Sequence, residues 1–246
     1  MFKAIITEID SIITRDPAAN SRWEVFWCYP SFHAMLFYRV AHKLWVRNWR
    51  IAARLFSQIA RFLTGVEIHP GAKIGNNFFI DHAAGVVVGA TVEIGDNVTL
   101  YQGVTLGGVS PSLHSEAQRE KKRHPTIADN VIIGSGAQVL GPITLGNNSR
   151  VGSNAVVVKD VPAMTTVVGI PARIVEQASS HGQDTFVPYG TPTGTVQDPT
   201  QKSVGALMNY IERLERRIHA LETTHQQEII SNALSQDDTI PAGDPQ

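Results

Sequence analysis

The sequence predicts an α+β chain in which an N-terminal helical region is followed by a parallel β-helix and then by a C-terminal coiled-coil helix. Three observations predict this order. Residues 1–63 space their apolar residues three and four apart, residues 64–175 repeat an aliphatic residue every six positions, and residues 203–232 carry a heptad pattern. The 246 residues, of which 43% are hydrophobic and 17% charged, suffice to bury a core of this kind.

The first element, residues 1–63, is expected to be helical. Its segment SFHAMLFYRVAHKLWVRNWRIAARLFSQIARFL, residues 31–63, mixes apolar and basic residues at helical spacing and contains no glycine or proline. A helix of this composition could lie on a membrane surface. Because long basic side chains commonly cover apolar surface, we expect instead a helix pair that packs on a larger body.

The second element, residues 64–175, is a repeat of six residues. Such a period fits neither an α-helix nor a long flat strand; it is typical of a solenoid in which three hexapeptides, each a short strand and a corner, make one coil. We expect the aliphatic residue of each hexapeptide to point inward and a small residue four places later to fit the corner. The aliphatic positions are Ile68, Ile74, Ile80, Val86, Val92, Val98 and Val104, then Ile127, Ile133, Val139, Leu145, Val151 and Val157, and the small residues are Ala72, Ala84, Ala90, Ala137, Ser149 and Ala155.

An excursion interrupts the repeat between Val104 and Ile127. These residues lie 23 apart instead of six, which predicts a 17-residue loop over residues 110–126. A long polar loop in a regular solenoid is more often functional than neutral. The loop ends in Arg123 and His124, immediately before the repeat resumes.

The third element lies beyond the repeat. Residues 176–202 are rich in Gly, Pro, Ser and Thr and predict a linker or tail, whereas residues 203–232 predict a coiled-coil helix and residues 233–246 a disordered tail. The heptad seam is short, so it would need oligomerisation for stability. A β-helix interior is filled by side chains, so we expect an external site in a groove between subunits of a cyclic homotrimer. The seam consists of Val204, Leu207, Ile211, Leu214, Ile218 and Leu221.

Composition and charge exclude several classes of protein. A net charge of −1 gives no electrostatic basis for binding nucleic acid or an acidic membrane. No apolar run reaches the roughly eighteen residues of a transmembrane helix, and the charged N-terminus does not resemble a signal peptide. The single cysteine, Cys28, cannot form an intramolecular disulfide, which suits a reducing compartment. A cytoplasmic protein is expected.

His82 is the candidate catalytic residue. It is placed beside a corner of the repeat and is expected to face outward, next to Asp81 and about one coil from Glu67. A carboxylate near a histidine can fix its tautomer, and the neutral imidazole can then take a proton from a hydroxyl. No serine or cysteine stands out as a protein nucleophile, so we expect direct attack by a substrate hydroxyl.

Seven motifs make the chain resemble the serine O-acetyltransferase family, in its short form, over about residues 8–190. This resemblance implies that the β-helix is left-handed, although the general rule for parallel crossovers predicts the opposite hand. The motifs occur in the family's order: RDPAA (15–19), FHAMLFYRVAHKLW (32–45), GVEIHPGAKIG (65–75), IDHAAGVVVG (80–89), VTLYQGVTLGG (98–108), KRHPTI (122–127) and GIPARIV (169–175).

The resemblance also implies a reaction: transfer of an acetyl group from acetyl-CoA to the hydroxyl of L-serine, which gives O-acetyl-L-serine for cysteine biosynthesis. His82 then matches the general base and Glu67 the residue that orients it. The remaining matches bind the two substrates, and no metal is implied. They are Asp16 and Asp81 for the serine amino group, Arg123 and His124 for its carboxylate side, Gly134, Ser135, Gly136 and Ser153 for the coenzyme A tunnel, and Lys159 and Arg173 for the coenzyme A phosphates.

The sequence departs from the family pattern at several positions. Glu67 is one methylene longer than the usual aspartate, and the loop before Arg123 is about seven residues longer than usual. Family members commonly dock a C-terminal isoleucine into O-acetylserine sulfhydrylase. This chain continues well beyond Gly190, where the resemblance stops, and ends in Gln246, which argues against that complex.

Other functions remain open on the residues alone. A different hexapeptide acyltransferase could act on O-phosphoserine or on the hydroxyl of a sugar or an antibiotic, although two acids and Arg123 suit an amino acid better. A zinc carbonic anhydrase on this scaffold would need a pair of histidines in H-x4-H spacing, which the sequence lacks. A non-catalytic scaffold would leave His82 unexplained.

Overall fold

The computed structural model of the chain describes residues 2–109, 121–175 and 199–237. The chain forms two compact units, residues 1–196 and residues 197–246. Most of the predicted excursion (residues 110–120), most of the predicted linker (residues 176–198) and the end of the predicted tail (residues 238–246) lie outside the described residues. The first unit contains both the helical region and the β-helix.

The region of residues 1–63 that the apolar spacing predicts to be helical begins the first unit and consists of four helices. The Ser21 hydroxyl caps α2 by accepting the Glu24 backbone N–H, Pro30 begins α3, and Gly65 ends α4 in a left-handed conformation with φ +72°. The helices are α1 (Phe2–Arg15), α2 (Arg22–Cys28), α3 (Pro30–Val46) and α4 (Arg50–Thr64).

The repeat folds into short strands that stack in three sheets. Sheet 1 has the order β1-β4-β7-β10-β13, sheet 2 the order β11-β8-β5-β2, and sheet 3 the order β15-β14-β12-β9-β6-β3. The pairings are parallel except that of β14 with β15, which is antiparallel. The strands are β1 (Glu67–Ile68), β2 (Lys73–Ile74), β3 (Phe79–Ile80), β4 (Val87–Val88), β5 (Glu93–Ile94), β6 (Thr99–Leu100), β7 (Thr105–Gly107), β8 (Thr126–Ile127), β9 (Ile132–Ile133), β10 (Gln138–Leu140), β11 (Thr144–Leu145), β12 (Arg150–Val151), β13 (Val156–Val157), β14 (Thr166–Val168) and β15 (Arg173–Val175).

The first coil is two residues longer than the regular coils. Glu67 pairs with Val87 twenty residues later, whereas Val87 pairs with Thr105 eighteen residues later. The two additional residues lie in the turn after β3, which has six residues between Ile80 and Val87, while the equivalent turn after β6 has four. This longer turn contains His82.

The aliphatic residues continue six apart across this insertion, so the sequence pattern does not show it. The strand positions that the pattern predicts over residues 86–104 are therefore wrong by two residues. Ile68 and Ile80 lie in strands, but Val86 is equivalent to Val66, which precedes a strand. Both kinds of position are apolar and buried, so the valine series continued without a break while the strands had shifted by two residues. As a consequence, Ala84 is exposed and does not fill a corner.

The excursion is correspondingly shorter than predicted. Glu93 of β5 pairs with Thr126 of β8, and Thr126 pairs in turn with Thr144 across a coil of regular length. The first pair is 33 residues apart and the second is 18, so the loop adds 15 residues to its coil. This addition is two residues less than the repeat predicts, because the strand register before the loop had already shifted by two.

The helices close the open end of the β-helix. Ala34, Met35 and Tyr38 of α3 belong to the same buried cluster as the interior of the first coils. The Tyr38 hydroxyl donates to the Ala72 carbonyl at 2.7 Å, and burial raises the pKa of Tyr38 to about 12. From α4, the Ser57 hydroxyl donates to the carbonyl of Ile68 at 2.7 Å. These bonds satisfy buried carbonyls of the first coil that have no preceding coil.

A second apolar cluster attaches α1–α3 to the outside of sheet 3. Phe79 of β3 is buried among Ile9, Val25 and Phe32 of the helices. Because Phe79 lies two residues before Asp81, this packing holds the helical region beside the long turn.

The described residues of the second unit form one helix, α5 (Pro199–Asp237). It begins inside the segment predicted as a linker and continues into the predicted disordered tail. The six seam residues are exposed, with Leu214 the least so at 37%. Within the described residues, no helix is long and apolar enough to cross a membrane.

Candidate active site

The long turn after β3 positions His82. The Asp81 Oδ1 atom accepts the backbone N–H of His82 at 2.9 Å and lies 3.9 Å from its Nε2 atom. His82 and Ala83 both have left-handed backbones, with φ of +55° and +54°. This conformation is uncommon for residues other than glycine. It turns the imidazole outward, where 72% of the side chain is exposed. The prediction of an outward-facing His82 beside Asp81 is therefore consistent with the geometry.

Asp16 follows the last residue of α1 and is held there by Arg15. The Arg15 guanidinium donates to the Asn77 carbonyl and to the Thr99 hydroxyl, and it lies over the Phe79 ring at 5.2 Å. Burial lowers the pKa of Arg15 to about 10, so the side chain stays protonated at neutral pH. Arg15 thus ties the end of α1, and with it Asp16, to sheet 3.

Tyr29 bonds to Asp16, one of the two acids that the sequence assigned to the serine amino group. Its hydroxyl donates to the Asp16 Oδ2 atom at 2.6 Å. Burial raises the pKa of Tyr29 above its usual range, and the charges of Asp16, Glu24 and Asp81 raise it further. The Tyr29 hydroxyl is thus bonded to Asp16, and Asp81 affects the same phenol through its charge alone.

Glu67 has a different partner from the one its sequence position suggested. Its carboxylate pairs with Arg61 of α4 at 3.1 Å. Among the described residues, the structure records no hydrogen bond between Glu67 and His82. The orienting role of Glu67 therefore stays a prediction, and the carboxylate that contacts His82 in this single chain belongs to Asp81.

Arg123 and His124 lie at another corner of the three-sided prism that the sheets form, immediately before β8. The Thr91 hydroxyl accepts the Arg123 backbone N–H at 3.2 Å, and it lies 2.8 Å from Nδ1 of His124. Thr91 also donates its backbone N–H to that nitrogen at 3.3 Å. The His124 ring lies against Gly89 so closely that a Cβ atom at Gly89 would collide with it.

The surroundings of His124 keep it neutral. The side chain is only 8% exposed. Burial, followed by the charges of Arg123 and Lys122, lowers the pKa of His124 to about 4. Since Nδ1 accepts a backbone N–H, the proton of the neutral ring resides on Nε2.

The two groups of residues border opposite edges of sheet 1. Asp81 and His82 lie in the corner between sheets 3 and 1, after β3, whereas Arg123 and His124 lie in the corner between sheets 1 and 2, before β8. The width of sheet 1 separates them. One chain therefore does not bring the acids and Arg123 together.

The residues assigned to coenzyme A, except Arg173, lie at the same two edges. Gly134, Ser135, Gly136 and Ser153 lie in the corner between sheets 3 and 1, two and three coils beyond His82. Backbone hydrogen bonds link these stacked turns, from Gly103 to Ala84, Gly136 to Gln102 and Asn154 to Ser135. Lys159 follows β13 in the corner between sheets 1 and 2, and Arg173 is exposed on β15.

The sequence reading missed Tyr29 and Thr91. Neither residue belongs to a motif that indicates a role. In the sequence, Tyr29 is a residue between two helices and Thr91 is a corner residue of the repeat. Their roles arise from distant partners in the chain, Asp16 and His124. Among the described residues, no group of three or more His, Cys, Asp or Glu side chains could hold a metal ion.

The fold and these corners define a transferase of the hexapeptide-repeat class, and the family model described as bacterial transferase hexapeptide (six repeats) matches residues 124–159. A serine acetyltransferase of Mycobacterium tuberculosis is 47% identical over 215 residues, which cover 87% of this chain and 88% of that protein. The chain belongs to the serine acetyltransferase family.

Solved structures agree with this assignment. The soybean serine acetyltransferase complexed with serine is 41% identical, with a TM-score of 0.66 over 70% of this chain and 68% of that one. A serine acetyltransferase in complex with CoA is 38% identical, with a TM-score of 0.64 over 70% and 68% of the two chains. The β-helix with its N-terminal helices is accordingly left-handed, an exception to the usual hand of parallel crossovers.

Proposed function

We propose that this chain transfers the acetyl group of acetyl-CoA to the hydroxyl of L-serine, giving O-acetyl-L-serine and coenzyme A for cysteine biosynthesis. The proposal rests on two contacts: the Tyr29 hydroxyl bonds to Asp16, and Asp81 accepts the backbone N–H of His82 in the long turn after β3. Two carboxylates suit a substrate ammonium group, and the exposed imidazole beside them suits a hydroxyl that must lose a proton.

His82 acts as the general base. It accepts the proton of the serine hydroxyl as that oxygen attacks the thioester carbonyl carbon. The carbon–oxygen bond forms, the carbon–sulfur bond breaks, and the proton passes from His82 to the departing sulfur. The Asp81 Oδ1 atom lies 3.9 Å from Nε2, so a carboxylate borders the imidazole during these proton transfers.

A second copy of the chain completes the serine site. Asp16 and Asp81 can hold the ammonium group, but the groups suited to the carboxylate, Arg123 and His124, lie beyond the width of sheet 1. A cyclic homotrimer places one corner of each copy against the other corner of the next, so that each site takes its acids and base from one chain and Arg123 from its neighbour.

The edge beyond His82 suits the pantetheine arm of acetyl-CoA. The turn with Gly134 and Gly136 lies two coils from His82 and that with Ser153 three coils, or about 14 Å at the strand spacing of a β-sheet. Gly136 has φ +69°, and a Cβ atom there would collide with the Asn154 side chain, so this turn requires glycine. Lys159 of the neighbouring chain borders the same groove and suits the phosphates, with Arg173 further along.

The exposed seam of α5 supports a coiled coil that strengthens the homotrimer. Its six apolar residues lie on one stripe and are unpaired within the described unit. We place the enzyme in the cytoplasm, because its single cysteine suits a reducing compartment. A complex with O-acetylserine sulfhydrylase is not part of the proposal.

A thiol-release assay across acceptors tests the proposal. Purified full-length chain is given acetyl-CoA and, separately, L-serine, O-phosphoserine or a galactoside. We expect turnover with L-serine, and none above background with the galactoside. O-phosphoserine should react poorly, because Lys122, one of the cations available in the loop, pairs with Glu93 at 3.4 Å. Faster turnover with either alternative acceptor would overturn the assignment.

A further inference from the structure

Helix α4 has an unusual distribution of side chains. Its small residues, Ala53, Ser57 and Ala60, are buried against the protein. Its large apolar residues point the other way and form a stripe spaced four, four and three residues apart. This stripe, the outer face of α4, consists of Ile51, Leu55, Ile59 and Phe62, which are 79%, 60%, 49% and 88% exposed.

The outer face of α4 is an incomplete interface. Single exposed apolar residues are common on proteins, but a continuous stripe of large ones marks a surface that something covers. The described residues of this chain leave it open to solvent. An ordinary surface helix packs its large apolar side chains against the core of the protein and exposes its polar ones. Helix α4 instead buries small residues and exposes large apolar ones.

The position of α4 indicates which molecule covers it. The Ser57 hydroxyl bonds to Ile68 of β1, so the helix lies along the first strand of sheet 1. At its end, Gly65 accepts a backbone hydrogen bond from Gly85, in the turn that carries His82. At the start of α4, the Arg50 guanidinium lies over the Trp45 ring of α3 at 4.0 Å, and that ring packs edge-on against His69 at 4.9 Å, in the corner between sheets 1 and 2. Helix α4 thus spans the edge of sheet 1 between the two half-sites.

We infer that the outer face of α4 packs against a second copy of this chain, and forms part of the interface that completes the active site. The choice of occupant rests on the proposed function, because a shared site requires both corners that border sheet 1 to meet neighbouring copies. If both corners that border sheet 1 meet neighbouring copies in a closed ring, sheet 1 faces the symmetry axis of the ring. Helix α4 lies along sheet 1. The exposed apolar stripes of neighbouring copies then face one another.

Charged substitutions on the outer face test this inference. In the full-length chain, Leu55→Glu combined with Phe62→Glu should raise the dissociation constant of the oligomer at least about a hundredfold, because two desolvated apolar side chains become charged. Both residues are exposed in the single chain, so its helical content should not change. Trp23→Glu on α2, at a position 74% exposed, is the matched control and should leave the oligomer intact. An unchanged dissociation constant for the double variant overturns the inference.

Cross-linking supplies a second measurement that does not depend on weakening the oligomer. In a Cys28→Ser background, Phe62→Cys should form covalent dimers with a short bis-maleimide. Lys73→Cys on sheet 2, whose native side chain is 74% exposed, should not. Cross-linking that is equal at both positions, or absent at Phe62→Cys, overturns the inference.

A lipid surface is the competing occupant, because Arg50, Arg54 and Arg61 are on the same helix. Flotation with vesicles containing phosphatidylglycerol separates the two. We expect no binding by the intact oligomer, and binding that Phe62→Glu abolishes would overturn the inference. These readouts measure association alone, so a failure of acetyl transfer in the acceptor assay would not be mistaken for a failure of the interface.

Discussion

The Tyr29 hydroxyl donates to the Asp16 Oδ2 atom at 2.6 Å while the Ala18 backbone N–H donates to Oδ1 at 2.8 Å. Both oxygens of the carboxylate are therefore fixed, one by the turn after α1 and the other by the residue that precedes α3. A substrate ammonium group would meet an acid already held in a single orientation, which lowers the entropic cost of binding.

Tyr29→Phe should raise the KM for L-serine about tenfold or more while changing kcat little, because it removes a hydrogen bond to a charged group without removing the base. The KM for acetyl-CoA should stay the same. Tyr38→Phe is the control, since that hydroxyl bonds to the Ala72 carbonyl in the core and should affect stability alone. Steady-state kinetics with each substrate varied measures both, and an unchanged serine KM in Tyr29→Phe would remove the positioning role.

His82→Ala should leave a folded oligomer whose thiol release is reduced at least about a hundredfold, the low end for loss of a general base. The side chain is 72% exposed, so its removal opens no cavity in the core. Size-exclusion chromatography with light scattering verifies assembly, and the acceptor assay measures the rate. Near-normal turnover would exclude His82 as the base.

Mixing two inactive variants should restore activity if the site is shared. Chains with His82→Ala, mixed after dissociation with an equal amount of chains with Arg123→Ala, should recover about a quarter of the wild-type rate, since a quarter of the interfaces then join two intact halves. Each variant dissociated and reassembled alone is the control. Activity that stays at the control level would show that both halves act within one chain.

The free energy of unfolding should decrease between pH 6.5 and about pH 4, where His124 is neutral in the folded chain but protonated in the unfolded chain. Its pKa is lowered from 6.5 to about 4 in the folded chain, so between these values the unfolded chain binds a proton that the native chain does not. The free energy of unfolding is therefore highest above pH 6.5 and decreases as the pH falls toward 4. His124→Gln should flatten this slope in urea titrations at several pH values. An identical slope in both proteins would contradict the shift.

Deleting residues 203–246 should weaken the homotrimer while leaving the chemistry of assembled molecules largely intact. The deletion removes the exposed seam of α5, and the residues proposed for catalysis lie in the other unit. Mass photometry over a dilution series measures the loss. If the truncated chain remained a trimer at the lowest concentrations, the coiled coil would be dispensable.

The predicted architecture survives comparison with the structure because hydrophobic period is a local property. Aliphatic residues every six positions specify short strands and corners whatever their neighbours do, and the three sheets, parallel except for β14 with β15, follow. The register between Val86 and Val104 was wrong for an equally local reason. The position before each strand is as buried and apolar as the position within it, so a two-residue shift leaves the pattern unchanged.

The sequence by itself determined the prism, the helices before and after it, and the residues able to carry the chemistry. Only the tertiary structure decided how those residues are arranged. Packing of Phe79 and the Arg15 bonds to sheet 3 hold the end of α1, and with it Asp16, against that sheet, and Arg61 pairs with the carboxylate of Glu67. The width of sheet 1 separated His82 from Arg123. These relationships join residues far apart in the chain, and they depend on which surfaces pack together, which a local pattern does not encode.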